Sequence, residues 1–397
     1  MGSNHTSQRI DKVTKAMSNF MDFFNDPAFI KRGDDPLACD FAVGNPHEMP
    51  LEGYVASLQR WVTPQNKDWF AYKMSETETV KAVVKGLRIW RGVQYDPQDI
   101  FMTTGAFSAI SCTLGAIVDP GDEVIFNSPP WFFYEPMIVS YDGVPVRVRV
   151  NAQTFDLDVD AIAAAITPRT RAVIVNSPNN PTGRIYPPET LRQLAEALTA
   201  GMEKTGRPIY LLSDESYSRI VFNGRRYPSP TEYYPYSFLI YTYGKTLLAP
   251  GQRIGYIALP PEMPEREAMR SALFVSLFIT GYAYPNALLQ HALGDLDKLS
   301  IDIGHLQNKR DYMVGALQEM GYQVHSPEGT FYLLPHSPVK DDVAFIKLLH
   351  THNIFCLPGE VVEMPGYFRI SLTANDDMIQ RSLPGFAAAL DQARKGI

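Results

Sequence analysis

The sequence predicts an α/β protein: a mostly parallel sheet flanked by helices, with a smaller α+β domain beside it. Two observations carry this. Short apolar, β-branched or aromatic runs recur through the middle of the chain, with segments of helical period between several of them. After Gly321 that alternation gives way to shorter, mixed elements.

The runs that read as strands are residues 123–127, 172–176, 209–213, 238–243 and 254–259. Between two of them, residues 188–204 place Leu191, Leu194, Ala195 and Leu198 on one helical face, and Pro187-Pro188 marks the start. Strand–helix–strand repetition implies crossover connections, hence a mostly parallel sheet covered on both faces. From 285 to 320 the pattern predicts one long helix leading into the smaller domain. That domain is expected to hold strands at 322–324, 330–334 and 368–372 and a helix at 343–350. The N-terminal segment has no core of its own and is expected to pack there too. The domain reading is therefore 51–290 for the large unit and 1–50 with 291–397 for the small one.

With 397 residues, 45% of them hydrophobic and 20% charged, the chain can bury a sizeable core and does not read as disordered. A formal net charge of −7 argues against nucleic acid as a partner. Cys39, Cys112 and Cys356 form no CxxC and no disulfide framework, which fits a reducing compartment. Residues 1–32 lack the apolar run of a signal peptide, and the apolar window 272–279 is too short to span a bilayer. The expectation is a cytoplasmic protein with no membrane partner. There is no G-x-G, no G-x-x-x-x-G-K-[ST] and no H-E-x-x-H, and His350 and His352 are expected to face solvent. No metal site is expected.

Four segments draw attention, three of them where a predicted strand ends, which is where parallel sheets collect ligands. They are Ser177-Pro178-Asn179-Asn180-Pro181-Thr182-Gly183, Ser213-Asp214-Glu215-Ser216-Tyr217, Tyr243-Gly244-Lys245-Thr246 followed by Arg253, and Phe368-Arg369-Ile370-Ser371. Singly, each has a plain structural reading: a rigid turn, a helix cap, a surface lysine, an ion pair in a strand.

Together and in this order they resemble the class I and II aminotransferases of the pyridoxal-phosphate (PLP) dependent fold-type I superfamily, from about Phe41 to Ser371. The resemblance implies that Lys245 is the Schiff-base lysine and proton carrier. It makes Asp214 the carboxylate that keeps the cofactor's pyridine nitrogen protonated, and Tyr217 and Asn180 the hydrogen-bond partners of its phenolic oxygen. Arg253 then grips the phosphate, as do the backbone at Gly105, Ala106 and Phe107 and the hydroxyl of Thr242. Trp131 is the aromatic on the cofactor face. Arg369 clamps the substrate α-carboxylate, with Gly44 and Asn180 lining the same pocket. Tyr72 resembles the tyrosine that reaches the phosphate from a neighbouring subunit, which implies a homodimer with shared active sites. The family often has serines three before and one before the lysine; here they are Thr242 and Gly244, and only the first keeps a hydroxyl. The glycine usual five residues after the tyrosine is Thr77.

The implied activity moves an amino group between an L-amino acid and a 2-oxo acid. The same residues would serve a PLP-dependent lyase, decarboxylase or oxidase, because the bond broken depends on which one stands perpendicular to the ring. A non-catalytic PLP-binding module is the alternative of another class, disfavoured by the intact set of Lys245, Asp214 and Arg369.

Overall fold

The computed structural model describes residues 5–396. Its main sheet has seven strands in the order Ile100–Thr103, Gly255–Ala258, Ser237–Thr242, Tyr210–Asp214, Thr170–Asn176, Glu123–Ser128, Val144–Arg149. Six run the same way. Gly255–Ala258 is antiparallel to both of its neighbours, because residues 243–254 carry only a four-residue helix and return the chain directly alongside the strand it has just left.

Two strands escape the sequence pattern. Val144–Arg149 is an edge strand, with alternating arginines and Pro145, so it shows no apolar run. Ile100–Thr103 is four residues long and joins the sheet only through the antiparallel strand.

Helices cover both faces, as the crossovers require. On one, Ala106–Ile117 and Arg266–Ile279 bury Ile110, Leu114, Leu273 and Leu277 against Phe126, Leu212, Phe238 and Ile240. On the other, Pro188–Thr205 buries Leu191, Leu194 and Leu198 against Val173, Val175 and Leu211. Leu211 and Leu212 face opposite ways because successive strand residues alternate. Pro at the first turn and Gly206, at φ +71°, bound that helix.

The long helix expected over 285–320 is two helices, Ala287–Leu296 and Ile303–Met320. Asp302 caps the second by accepting from the backbone N–H of His305, and Asp297 in the break accepts from Arg219 and Tyr243. Residues 322–324 form no strand: Gly321 ends the helix at φ +104° and Tyr322 N–H bonds back to Leu317. The strand expected at 330–334 shrinks to Tyr332–Leu333. It pairs with Phe368–Ser371, which pairs in turn with Leu357–Pro358. A separate apolar cluster surrounds this small sheet, with Phe345, Phe368 and Phe386 fully buried. His350 does not face solvent; it lies half-buried against Phe355, ring centroids 4.7 Å apart.

The N-terminal segment divides between the two clusters. Cys39–Asp40 pairs with Ile354–Phe355 beside the small sheet, while helix Gln8–Ala16 packs on helix Tyr134–Ser140 of the large one. Cys39, Cys112 and Cys356 are buried and free. No helix among the described residues is long and apolar enough to cross a membrane.

Candidate active site

A cavity of about 210 Å³ opens where the sheet's parallel strands end, and its lining includes Asn176, Asp214 and Thr242, each the last residue of its strand. In-register pairing sets Asn176 beside Asp214. The Asn176 amide donates to the Asp214 carbonyl at 2.9 Å and its oxygen accepts from Asn180 N–H at 2.7 Å, so one side chain ties the two strand ends together.

Asp214 is 4% exposed. Its carboxylate accepts from Tyr134 Oη at 2.6 Å, from Ser216 Oγ at 2.6 Å and from Ser216 N–H at 3.2 Å. Burial pushes its pKa up, and these bonds together with the Lys245 charge offset only part of that push. A cation placed against it would complete the compensation. Glu215, next in sequence, turns to the other side and pairs with Arg91.

Lys245 follows strand Ser237–Thr242 on a four-residue helix and is half-buried. Its Nζ lies 5.6 Å from the ring centre of Tyr217 and 5.7 Å from that of Phe331. Arg253 donates to the Pro250 carbonyl at 2.7 Å. Partial burial pulls its pKa below the usual arginine value. Gly105, at φ +95°, begins helix Ala106–Ile117 with no side chain capping the first N–H groups. A Cβ on Gly105 would lie 2.9 Å from Arg253 Nη2 and 3.4 Å from Thr242 Oγ1, so glycine keeps this corner open. Trp131 and Phe107 meet edge to face at 5.1 Å on the cavity wall. A wider cleft, about 670 Å³, lies beyond Trp131 beneath helix Gln8–Ala16.

Arg369 reaches the site from the small sheet. It is 2% exposed, donating to Asn180 Oδ1 and to the Ala42 carbonyl, each at 2.9 Å, while its buried Nε has no partner among the described residues. The ring of Tyr332 lies 4.1 Å beneath the guanidinium. Gly44 belongs here too: a Cβ on it would stand 2.8 Å from Tyr332 Oη. Tyr217 donates to Tyr332 at 3.4 Å. Burial alone would raise the Tyr332 hydroxyl, but the charges of Lys245 and Arg369 hold it below the usual tyrosine value. Burial and the neighbouring Tyr332 push Tyr217 well above that value.

The fold thus brings Gly44, Gly105, Ala106, Phe107, Trp131, Asn180, Asp214, Tyr217, Thr242, Lys245, Arg253 and Arg369 around one centre. It does not bring Tyr72 there. That side chain is 86% exposed and packs on Tyr284, ring centroids 4.8 Å apart. Sequence reasoning missed Tyr134, Ser216 and Tyr332. Ser216 lies inside a motif already singled out, and its spacing from Asp214 suits a local cap; Tyr134 ends the Pro129-Pro130-Trp131-Phe132-Phe133-Tyr134 segment that supplies Trp131, while Tyr332 carries no such mark.

No carboxylate pairs with Lys245, Arg253 or Arg369 among the described residues. Three cations outside any ion pair and one buried carboxylate suit a ligand bearing a phosphate and a ring cation, together with a substrate bearing a carboxylate. Residues 39–383 match the family described as aminotransferase class I and II. The chain belongs to that family. It is 30% identical over 367 residues to a probable aspartate/prephenate aminotransferase of Thermus aquaticus, covering 91% of this chain and 93% of that protein. An aminotransferase structure from Eubacterium rectale superposes with a TM-score of 0.86 at 26% identity, covering 98% of this chain and 96% of the other. A mutant aspartate aminotransferase of Thermus thermophilus gives 0.82 at 26%, covering 98% and 100%. Members of the family use PLP, and this aminotransferase is a PLP-dependent enzyme moving an amino group between an amino acid and a 2-oxo acid. The lyase, decarboxylase, oxidase and non-catalytic readings are not favoured.

Proposed function

We propose that Lys245, Asp214 and Arg369 carry the transamination. The observation that supports this most is that Lys245 and Arg253 line the same cavity as buried Asp214, with Arg369 bonded to Asn180 on its wall. When bound, the cofactor supplies an electron sink for the substrate's α-carbon. Arg253, Thr242 and the backbone N–H groups of Ala106 and Phe107 hold its phosphate. Asp214 keeps a proton on its ring nitrogen, oriented by Tyr134 and Ser216. Asn180 and Tyr217 hydrogen-bond its phenolic oxygen, and Trp131 covers one face. Arg369 fixes the amino acid by its carboxylate, and Lys245 Nζ takes the proton from the α-carbon. Held this way, the site lies between a large unit, 51–290, and a small one, 1–50 with 291–397. The three buried free cysteines support a cytoplasmic, reducing setting.

The same reading makes the enzyme a homodimer with shared sites. Phe274, Val275, Phe278 and Ile279 of one helix are 48%, 54%, 41% and 75% exposed, and Tyr284 joins them to Tyr72. A contiguous apolar surface of this kind suits a second copy. In it, Tyr72 would reach the neighbour's phosphate.

Complementation tests this. A Lys245→Ala chain and a Tyr72→Ala chain, each inactive alone, are refolded together and the mixed dimers isolated by differential tags. Partial recovery of activity is expected, because one site in each mixed dimer keeps both residues. Mixed dimers that form and remain inactive would place Tyr72 outside the neighbour's site.

A further inference from the structure

The segment carrying Asp214 and Tyr217 has a second side. Ser218 and Arg219 turn away from the cofactor cavity towards another, of about 300 Å³, bordered by Arg91, Arg219, Arg225 and Arg226 with Trp90 and Tyr227. Among the described residues no carboxylate lines it. The acids that balance these arginines stand behind them: Glu215 pairs with Arg91, and Asp297 with Arg219 at 2.7 Å. Glu328 pairs with Arg225 at 3.0 Å but is shared with Arg184 at 3.1 Å. Glu232 lies 3.7 Å from Arg226, whose side chain is 83% exposed. Arg91 is almost wholly buried, its side chain 9% exposed, and its Nη1 has no hydrogen-bond partner among the described residues. A buried guanidinium nitrogen left unpaired is costly unless something else satisfies it.

We propose that this cavity binds a small multivalent oxyanion, a phosphate ester or a polycarboxylate. Guanidinium groups suit such ligands because their planar forks present paired donors. Trp90, 59% exposed at the rim, and the Tyr227 ring, 4.9 Å from the Arg91 guanidinium, form flat walls beside them. The site is wired to the catalytic one. Tyr227 Oη donates to the Ser177 carbonyl at 2.9 Å, in the loop that carries Asn180, and Arg91 holds the residue adjoining Asp214. An anion seated here would brace both loops from behind, which makes it an effector rather than a substrate.

Calorimetric titration of the PLP-loaded enzyme with inorganic pyrophosphate, and separately with citrate, tests this. At least one is expected to bind saturably at one site per chain, and which one binds more tightly tells the phosphate source from the carboxylate source. Arg225 and Arg226 are exposed loop residues, so Arg225→Ala/Arg226→Ala should fold normally and weaken binding at least about tenfold. Arg369→Lys should leave it unchanged, separating this site from the substrate's. Absence of saturable binding by either anion, survival of full affinity in the double variant, or its loss in Arg369→Lys would each overturn the proposal.

Discussion

Lys245→Ala is expected to lose turnover by on the order of 10⁴-fold or more, with the fold unchanged. Positioned acid–base groups contribute roughly 10²–10⁴-fold, and on the function proposed above one amine would serve both as the cofactor's covalent anchor and as the proton carrier. Its Nζ faces the rings of Tyr217 and Phe331, and among the described residues it makes no ion pair that a substitution would break, so stability should hardly change. The check is a steady-state rate beside a thermal melt and the visible spectrum of the PLP-soaked protein. The absorption of the lysine-bound cofactor should disappear while the melt stays in place. Parent-like turnover would remove Lys245 from the reaction.

Arg369→Lys should fail differently. A lysine keeps the charge and loses the fork, so amino-acid binding should weaken by about 2–4 kcal/mol across all donors that carry an α-carboxylate. Amines without a carboxylate should react nearly as in the parent, and cofactor retention should persist, since Arg369 lies on the small sheet, away from the Gly105 and Arg253 corner. The split between carboxylated and uncarboxylated donors is what a merely structural arginine would not produce. Equal losses on both would assign Arg369 to packing above Tyr332.

Much of this site is legible in sequence because the chemistry sits at strand ends, where short motifs survive as contiguous strings. Asp214, Asn180, Lys245 and Arg253 are found that way. What escapes is contact between distant segments. Tyr134 meets Asp214 across 80 positions, and Tyr332 meets Tyr217 across 115. Tyr332 does not differ, in sequence, from an ordinary core aromatic, and Tyr134 lies beside Trp131 with nothing to say that its hydroxyl reaches Asp214. The sheet follows the same rule. Its buried strands show as apolar runs, whereas edge strand Val144–Arg149 hides behind its arginines. The reversed direction of Gly255–Ala258 depends on how the loop after Lys245 turns, which apolar periodicity does not encode. The break at 297–302 is similar: Asp297 earns its place through Arg219 and Tyr243, both remote in sequence.

Transamination itself is tested most directly by following the nitrogen. The purified, PLP-loaded enzyme is given a ¹⁵N-labelled amino acid with and without a 2-oxo acid, and the products are resolved by mass spectrometry. The expected result is label on the new amino acid in equimolar amount to the 2-oxo acid formed from the donor, with no more than one equivalent of that 2-oxo acid per site when the acceptor is left out. Continued turnover without acceptor, with the label released as ammonia or retained on a decarboxylated amine, would contradict it.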